Sequence, residues 1–273
     1  MKAVSRVYAF LVYLFLYAPI AVLIVFSFNG SATMSRSVWG GFSLRWYRQL
    51  FGDRMLLQAL ENTLIIAVIA AAVSTVLGTA AAIGIGAMNK WVRRAVMNVT
   101  NFPMVNPDIV TGVSLMLLFV AAARFLGGVS LGMTSLILAH ITFCLPYVIL
   151  SVMPKLRQMD PNLYEAAQDL GCAPFPAFFK VVLPEIAPGV VTGLIMAFTL
   201  SIDDFVISYF TSGTTQTLPI FIYSMTRKRV SPEINALSTL LFAAVILLLL
   251  IINFRVARDT KGGAKTAKGG ESL

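Results

Sequence analysis

The sequence predicts an all-α membrane protein of six transmembrane helices with one structured polar loop, and three observations carry that prediction. Hydrophobic residues make up 58% of the chain and charged residues 12%, proportions that exclude an ordinary soluble domain. Six long apolar runs, at about 7–28, 62–88, 97–123, 131–153, 186–210 and 234–254, each suffice to cross a bilayer that needs roughly 20 residues. Between the fourth and fifth runs lies a polar stretch that carries its own helix-start and helix-stop residues.

Basic residues set the orientation. With the N-terminus inside, 13 of the 21 Lys and Arg fall on cytoplasmic segments, among them Lys90, Arg93, Arg94, Lys155, Arg157 and Lys180. Both termini and the polar loop are then cytoplasmic. Arg227-Lys228-Arg229 falls outside, and making 218–225 a seventh span would require eight residues to cross the membrane. The net charge of +9 thus reflects membrane topology and not a nucleic-acid partner. Residues 1–258 read as a single transmembrane domain, and the Lys- and Gly-rich tail 259–273 reads as disordered.

The first run follows Lys2 and Arg6 but is too long for the core of a secretion signal, so it is expected to stay as an anchor. Tyr17-Ala-Pro19 predicts a kink in it. Within the external segment 29–60, Phe42-Ser-Leu-Arg-Trp-Tyr-Arg-Gln-Leu-Phe51 reads as an amphipathic helix in the outer interface. Ser43 is its cap, Leu44, Tyr47, Leu50 and Phe51 share its apolar face, and Trp46 anchors it. A place for Trp46 at the mouth of a pathway stays open.

Ala70, Ser74, Gly78, Ala82 and Gly86 recur at every fourth position of the second run and predict close helix packing. The third run begins with Asn98, Asn101, Pro103, Asn106, Pro107 and Asp108. Asn98, Asn101 and Asp108 share a side, with Thr111 next. Such irregularity at membrane depth needs protein or a water-filled cavity around it. A carboxylate there costs about 2.5–3.5 kcal/mol on insertion scales, which makes Asp108 a candidate pathway residue or a helix-packing acceptor.

The fourth run is bland and is expected to end at Pro154-Lys155. Its His140, the sole histidine, is expected to pack between helices. In the fifth run Gly189, Gly193, Ala197 and Ser201 repeat the every-fourth pattern. On a continuous helix Asp204 falls about 20° from Ala197, within that face, and Asp203 points about 120° away. Asp204 is a pathway acid or a wet interfacial one. No Lys or Arg shares a span with Asp203 or Asp204, so the acids favour a cation over an anion. Residues 211–232 are expected to form an outer loop that dips into the pathway mouth or meets an external partner. No metal cluster, disulfide or phosphate-binding Gly-rich loop is present in the sequence, so no cofactor is expected.

The polar stretch, 155–184, is the most specific part. Asp160-Pro161 predicts a helix start, and Gly171 a left-handed stop. Leu163, Ala166, Ala167 and Leu170 share one face, with Glu165 beside it. Pro174 and Pro176 predict a second short helix, and Pro184 its junction with the fifth span. Glu165-Ala-Ala, three residues, Gly171, nine residues, then Val181-Val-Leu-Pro184 resembles the coupling loop of permease subunits of binding-protein-dependent ABC importers, with Val181 where isoleucine is more usual.

The resemblance extends over nearly the whole chain. Phe26-Ser-Phe-Asn29, Phe42-Ser-x-x-Trp-Tyr47, Asn106-Pro-Asp108, Leu200-Ser-Ile-Asp-Asp-Phe-Val206, Thr217-Leu-Pro219 and Pro232-Glu-Ile-Asn-Ala236 are together similar to the second permease subunit of spermidine/putrescine importers. The resemblance implies a type I ABC importer permease fold in a bacterial cytoplasmic membrane. It implies a related permease as partner, an ATPase dimer that binds the ATP, and an extracytoplasmic solute-binding protein. Glu165, Ala166, Ala167 and Gly171 would then couple to the ATPase. Asp108, Asp203 and Asp204, with Ser201 and Trp46, would help pass the polycation. Importers of other small cationic or zwitterionic solutes, and an autonomous secondary cation carrier, remain as alternatives.

Overall fold

The computed structural model describes residues 2–31, 39–126, 130–228, 233–243 and 246–247. Most of these residues are helical, and among them the one β-contact is an isolated bridge between Asn29 and Phe42. The order is α1 (Lys2–Ser27), α2 (Arg45–Gly52), α3 (Arg54–Ala87), α4 (Lys90–Val105), α5 (Asp108–Leu126) and α6 (Met133–Gln158). There follow α7 (Leu163–Asp169), α8 (Pro174–Ala177), a π-helical turn at Phe178–Val182, α9 (Leu183–Asp203), α10 (Val206–Thr211) and α11 (Leu218–Lys228). α12 is Glu233–Ala243. Five helical stretches are long and apolar enough to span a membrane: Arg6–Ser27, Arg54–Ala87, Asp108–Phe125, Met133–Gln158 and Pro174–Asp203. The sixth predicted span is described over 234–243 and 246–247, and its remainder, like the 259–273 tail, lies outside the described residues.

The chain divides into two compact units, Met1–Arg54 with Ile222–Leu273, and Met55–Phe221. In the first, the end of α1 is clamped to α2. Tyr47 Oη and Ser27 Oγ are 2.7 Å apart, Trp46 Nε1–H donates to the Asn29 carbonyl at 2.7 Å, and Phe28 stacks on Phe42 at 5.1 Å. Asn29 Oδ1 accepts from the N–H of Gly40 at 2.8 Å and closes the loop. The inward side of α2 is therefore Trp46 and Leu50, while Leu44 and Phe51 are exposed. Of the expected apolar face, Leu50 packs inward and Tyr47 is half-buried, while Leu44 and Phe51 stay exposed, and the indole joins Leu50 on the inward side. Ser43 Oγ does accept from Arg45 N–H, at 3.2 Å.

In the second unit, α6 is the central helix. The small-residue stripe of α3 is buried at Ala70, Ser74, Gly78 and Ala82, and that of α9 at Gly189, Gly193, Ala197 and Ser201. Both stripes meet the same residue of α6, since Val148 Cγ1 would lie 2.7 Å from a Cβ on Gly78 and 3.2 Å from one on Gly193. With apolar lipid as the alternative environment, such close packing holds a bundle together where hydrophobic exclusion cannot.

Four predicted boundaries differ from those observed. The third span is two helices, broken at Asn106-Pro107, where proline supplies no N–H and holds the preceding residue extended. The fourth runs through Pro154 to Gln158, because one proline removes one ladder bond and flanking turns keep the rest. The fifth stops at Asp203 and restarts at Val206. The outer segment 211–232 contains a helix, α11, with Pro219 in its first turn and Thr63 Oγ1 accepting Leu218 N–H at 2.8 Å.

Candidate functional site

The acids sit where helices break. Asp108 opens α5, where a carboxylate is favoured by the N-terminal dipole, and it is exposed. Just before it, Asn106 Nδ2 donates to Thr111 Oγ1 at 3.3 Å. Asn98, Asn101, Phe102, Val105 and Asn106 line a cleft of about 360 Å³. The polar side predicted for this stretch is thus real, but it runs along α4 and across a break.

Asp203 closes α9 and is exposed. Asp204, the next residue, has extended backbone (ψ 118°) and a side chain that is 7% exposed. Its two oxygens accept from the N–H groups of Ile207, at 3.3 Å, and Ser208, at 2.8 Å. These are free donors at the start of α10, and a carboxylate satisfies them as an N-cap does. The side chains of Asp203 and Asp204 therefore part company. One is presented outward and one is turned into the protein, and the break in α9 separates them where a continuous helix would have done so by rotation.

Beneath Asp204 lies His140 of α6, 2% exposed. Its Nδ1 is 2.7 Å from Ser201 Oγ, its Nε2 3.0 Å from Ser208 Oγ, and Nε2 is 3.5 Å from Asp204 Oδ2. The nearby carboxylate favours the proton on Nε2, which leaves Nδ1 to accept from Ser201 Oγ–H. Sequence reasoning placed His140 between helices but did not see what it holds. The readable trace is Ser201 and Ser208 seven residues apart with two aspartates between them. α10 is fixed to α5 as well, since a Cβ on Gly112 would meet Phe210 at 2.9 Å, and to the start of α6 through Ser135 Oγ–H donating to the Thr211 carbonyl at 2.8 Å.

The polar loop between α6 and α9 folds as two short helices. The Asp160 carboxylate accepts Asn162 N–H at 2.9 Å, so the helix begins two residues later than predicted, with Asn162 as its N-cap. Gly171 has φ +85°, the left-handed conformation that glycine adopts without strain. The N–H of Gly171 reaches Gln168 O at 2.8 Å and that of Cys172 reaches Ala167 O at 3.1 Å, completing the helix stop. Glu165 and Ala166 are exposed, Ala167 is half-buried, and Leu170 is 90% exposed. Ahead of Pro184, Leu183 N–H bonds Phe178 O across a π-helical turn, so α8 runs without interruption into α9.

Trp46 belongs to the first unit and is buried by its hydrogen bond to Asn29. It anchors α2 to protein.

Comparison with known proteins is consistent along the chain. Residues 74–259 match the family of binding-protein-dependent transport system inner membrane components. The putrescine transport system permease protein PotI of Escherichia coli (strain K12) is 42% identical over 250 residues, 90% of this chain and 88% of that protein. The spermidine/putrescine transport system permease protein PotC of the same strain is 40% identical over 259 residues, 94% and 95% of the two chains. In fold, the chain is similar to a bacterial ABC transporter involved in the import of the acidic polysaccharide alginate. The TM-score is 0.72 at 14% identity, over 92% of this chain and 95% of that one. Broken membrane helices, a capped polar loop ahead of the fifth span and sequence identity over nearly the full length agree: this chain belongs to the inner-membrane permease components of binding-protein-dependent ABC transport systems.

Proposed function

We propose that this chain is one transmembrane subunit of an ATP-driven importer that carries spermidine or putrescine into the cytoplasm by alternating access. The observation that carries the reading is the pairing of polyamine-permease relatives, at 40% identity or more over nearly the whole length, with two exposed carboxylates, Asp108 and Asp203, at helix breaks within apolar spans. A polycation passing such acids meets charge complementarity in a low-dielectric setting, and scattered acids hold it weakly enough to release it. Asp204 and Ser201 contribute from behind, by shaping the break. Trp46 serves the α1–α2 clamp and not the solute.

The motor is a separate ATPase dimer that binds ATP and grips the exposed face of α7 formed by Glu165 and Ala166 and closed by the Gly171 stop. Ala167 allows close approach beside them. A paralogous permease completes the pathway, and an extracytoplasmic binding protein delivers the solute. A structural neighbour was crystallised with its own substrate-bound periplasmic protein, which supports that arrangement. The cytoplasmic side is the end at which Lys90, Arg93, Arg94 and Arg157 line one cleft of about 400 Å³, as expected for basic residues retained inside, and the same rule assigns both termini to the cytoplasm.

Uptake of labelled spermidine and putrescine into proteoliposomes, with and without the ATPase and the second permease, tests this. ATP-dependent uptake by the complete assembly is expected. Uptake by this chain alone, or an assembly indifferent to both polyamines, would overturn it.

A further inference from the structure

The cluster of His140, Ser201, Ser208 and Asp204 joins three elements, α6, α9 and α10, at the point where the fifth span is interrupted. Ser201 lies before the break and Ser208 after it, and one imidazole touches both hydroxyls. An imidazole can do this because its two nitrogens face opposite ways, about 2 Å apart across a rigid ring. A flexible side chain would have to give up rotamer entropy to do the same. The ring is buried, and both nitrogens are satisfied, so the arrangement resists water and competing partners.

α5 and the start of α6 hold α10 from outside, and among the described contacts the imidazole is the side chain that ties Ser201, before the break, to Ser208, after it. The ladder is interrupted there, and α10 is six residues long, too short to persist unaided.

We propose that His140 is a positioning residue of the transport pathway. By bridging Ser201 and Ser208 it holds the break in a single geometry, with Asp204 turned in on the start of α10 and Asp203 left as the acid presented to the solute. The inference rests on the reading of Asp203 as a pathway residue, and the experiment separates the two. It predicts that loss of the bridge frees the break, lets the adjacent acids exchange places, and weakens solute handling with the chain still assembled.

The test uses the complete importer in proteoliposomes, with the variants His140→Leu, His140→Gln and Ser201→Ala/Ser208→Ala. Two quantities are read on assembled complex. One is the apparent KM for spermidine uptake. The other is the labelling rate of Asp203→Cys by a cationic thiosulfonate in a Cys172→Ser background. His140→Leu and the double serine variant are expected to raise KM roughly tenfold, the factor that a lost hydrogen bond to a charged network represents. Both are also expected to slow labelling at position 203 by a similar factor. His140→Gln, which keeps one donor and one acceptor, is expected to restore most of both. A change confined to the amount of assembled complex, with KM and labelling as in the parent, would overturn the proposal. So would parent-like behaviour of the double serine variant. If labelling responds to His140→Leu while Asp203→Asn leaves uptake untouched, the break is positioned as proposed and the pathway reading of Asp203 falls instead.

Discussion

Gly78 of α3 and Val148 of α6 approach so closely that a Cβ on the glycine would lie 2.7 Å from a valine methyl. That contact has no room for a side chain, and Val148 cannot retreat because Gly193 lies on its other side. Gly78→Val should cost about 1–3 kcal/mol through overpacking, seen as a lower unfolding temperature of the purified subunit in lipid nanodiscs. Gly84→Ala, where no neighbouring side chain or helix lies within 4 Å of the added carbon, should leave that temperature unchanged or raise it slightly, since alanine favours the helix. Equal effects at both positions would refute the packing account.

Charge reversal at Glu165 probes the proposed contact with the ATPase. The residue is exposed on a capped seven-residue helix, so Glu165→Arg should leave insertion and folding intact. ATP-driven uptake should fall at least about tenfold, the scale on which a reversed charge opposes docking. Undiminished uptake with the basic variant would remove α7 from the contact with the ATPase.

The paired aspartates should respond differently. Asp204 caps α10 with two hydrogen bonds, so Asp204→Ala should destabilise the subunit by about 1 kcal/mol or more. Asp108→Asn and Asp203→Asn alter exposed carboxylates, and should reduce spermidine uptake with little change in thermal stability. Thermal scans and initial uptake rates on the same preparations separate the two effects. Stability loss at Asp203 equal to that at Asp204 would contradict the division.

Trp46 offers a control for pathway contact. Trp46→Phe keeps the buried ring and removes the Nε1–H bond to Asn29, at about 1 kcal/mol. Stability should fall by that amount and spermidine KM should not move. A KM shift without a stability loss would return Trp46 to the pathway.

Topology is open to direct labelling. Thr215 lies in the turn between α10 and α11, beside Gln216, whose carbonyl accepts from Asn62 Nδ2 at 3.0 Å. A Thr215→Cys variant in a Cys172→Ser background should react with an impermeant thiol reagent from outside only. Reaction from the cytoplasmic side would invert the orientation.

Much of this was legible in the sequence because it rests on local chemistry. The small-residue stripes of α3 and α9, the left-handed Gly171 and the proline-led start of α8 are written into residue type and spacing. Breaks were harder to read. Asn106-Pro107 was recognised as irregular, yet apolar residues on both sides read as one span. Asp204 was placed by helical rotation, a method that fails once the helix stops. The links from His140 to Ser201 and Ser208 join residues 61 and 68 positions apart, and no periodicity within one helix encodes them. Trp46 is similar: Phe26-Ser-Phe-Asn29 and Phe42-Ser-x-x-Trp-Tyr47 are separate motifs in the sequence, and only folding shows that each is the other's binding surface.

One feature of the fifth span has a mechanical consequence. From Pro174 to Asp203 the chain is 30 residues of unbroken helix, roughly 45 Å at an α-helical rise, with the widened turn before Pro184 absorbed in its course. Its lower tip is next to α7, and its upper tip carries Asp203. Movement at the lower end of such a strut is carried along its length, and the π-helical turn with Pro184 and Pro188 marks where it can bend. The ladder ends at Asp203, so whatever displacement survives those turns is delivered at the acids and at the imidazole that braces them.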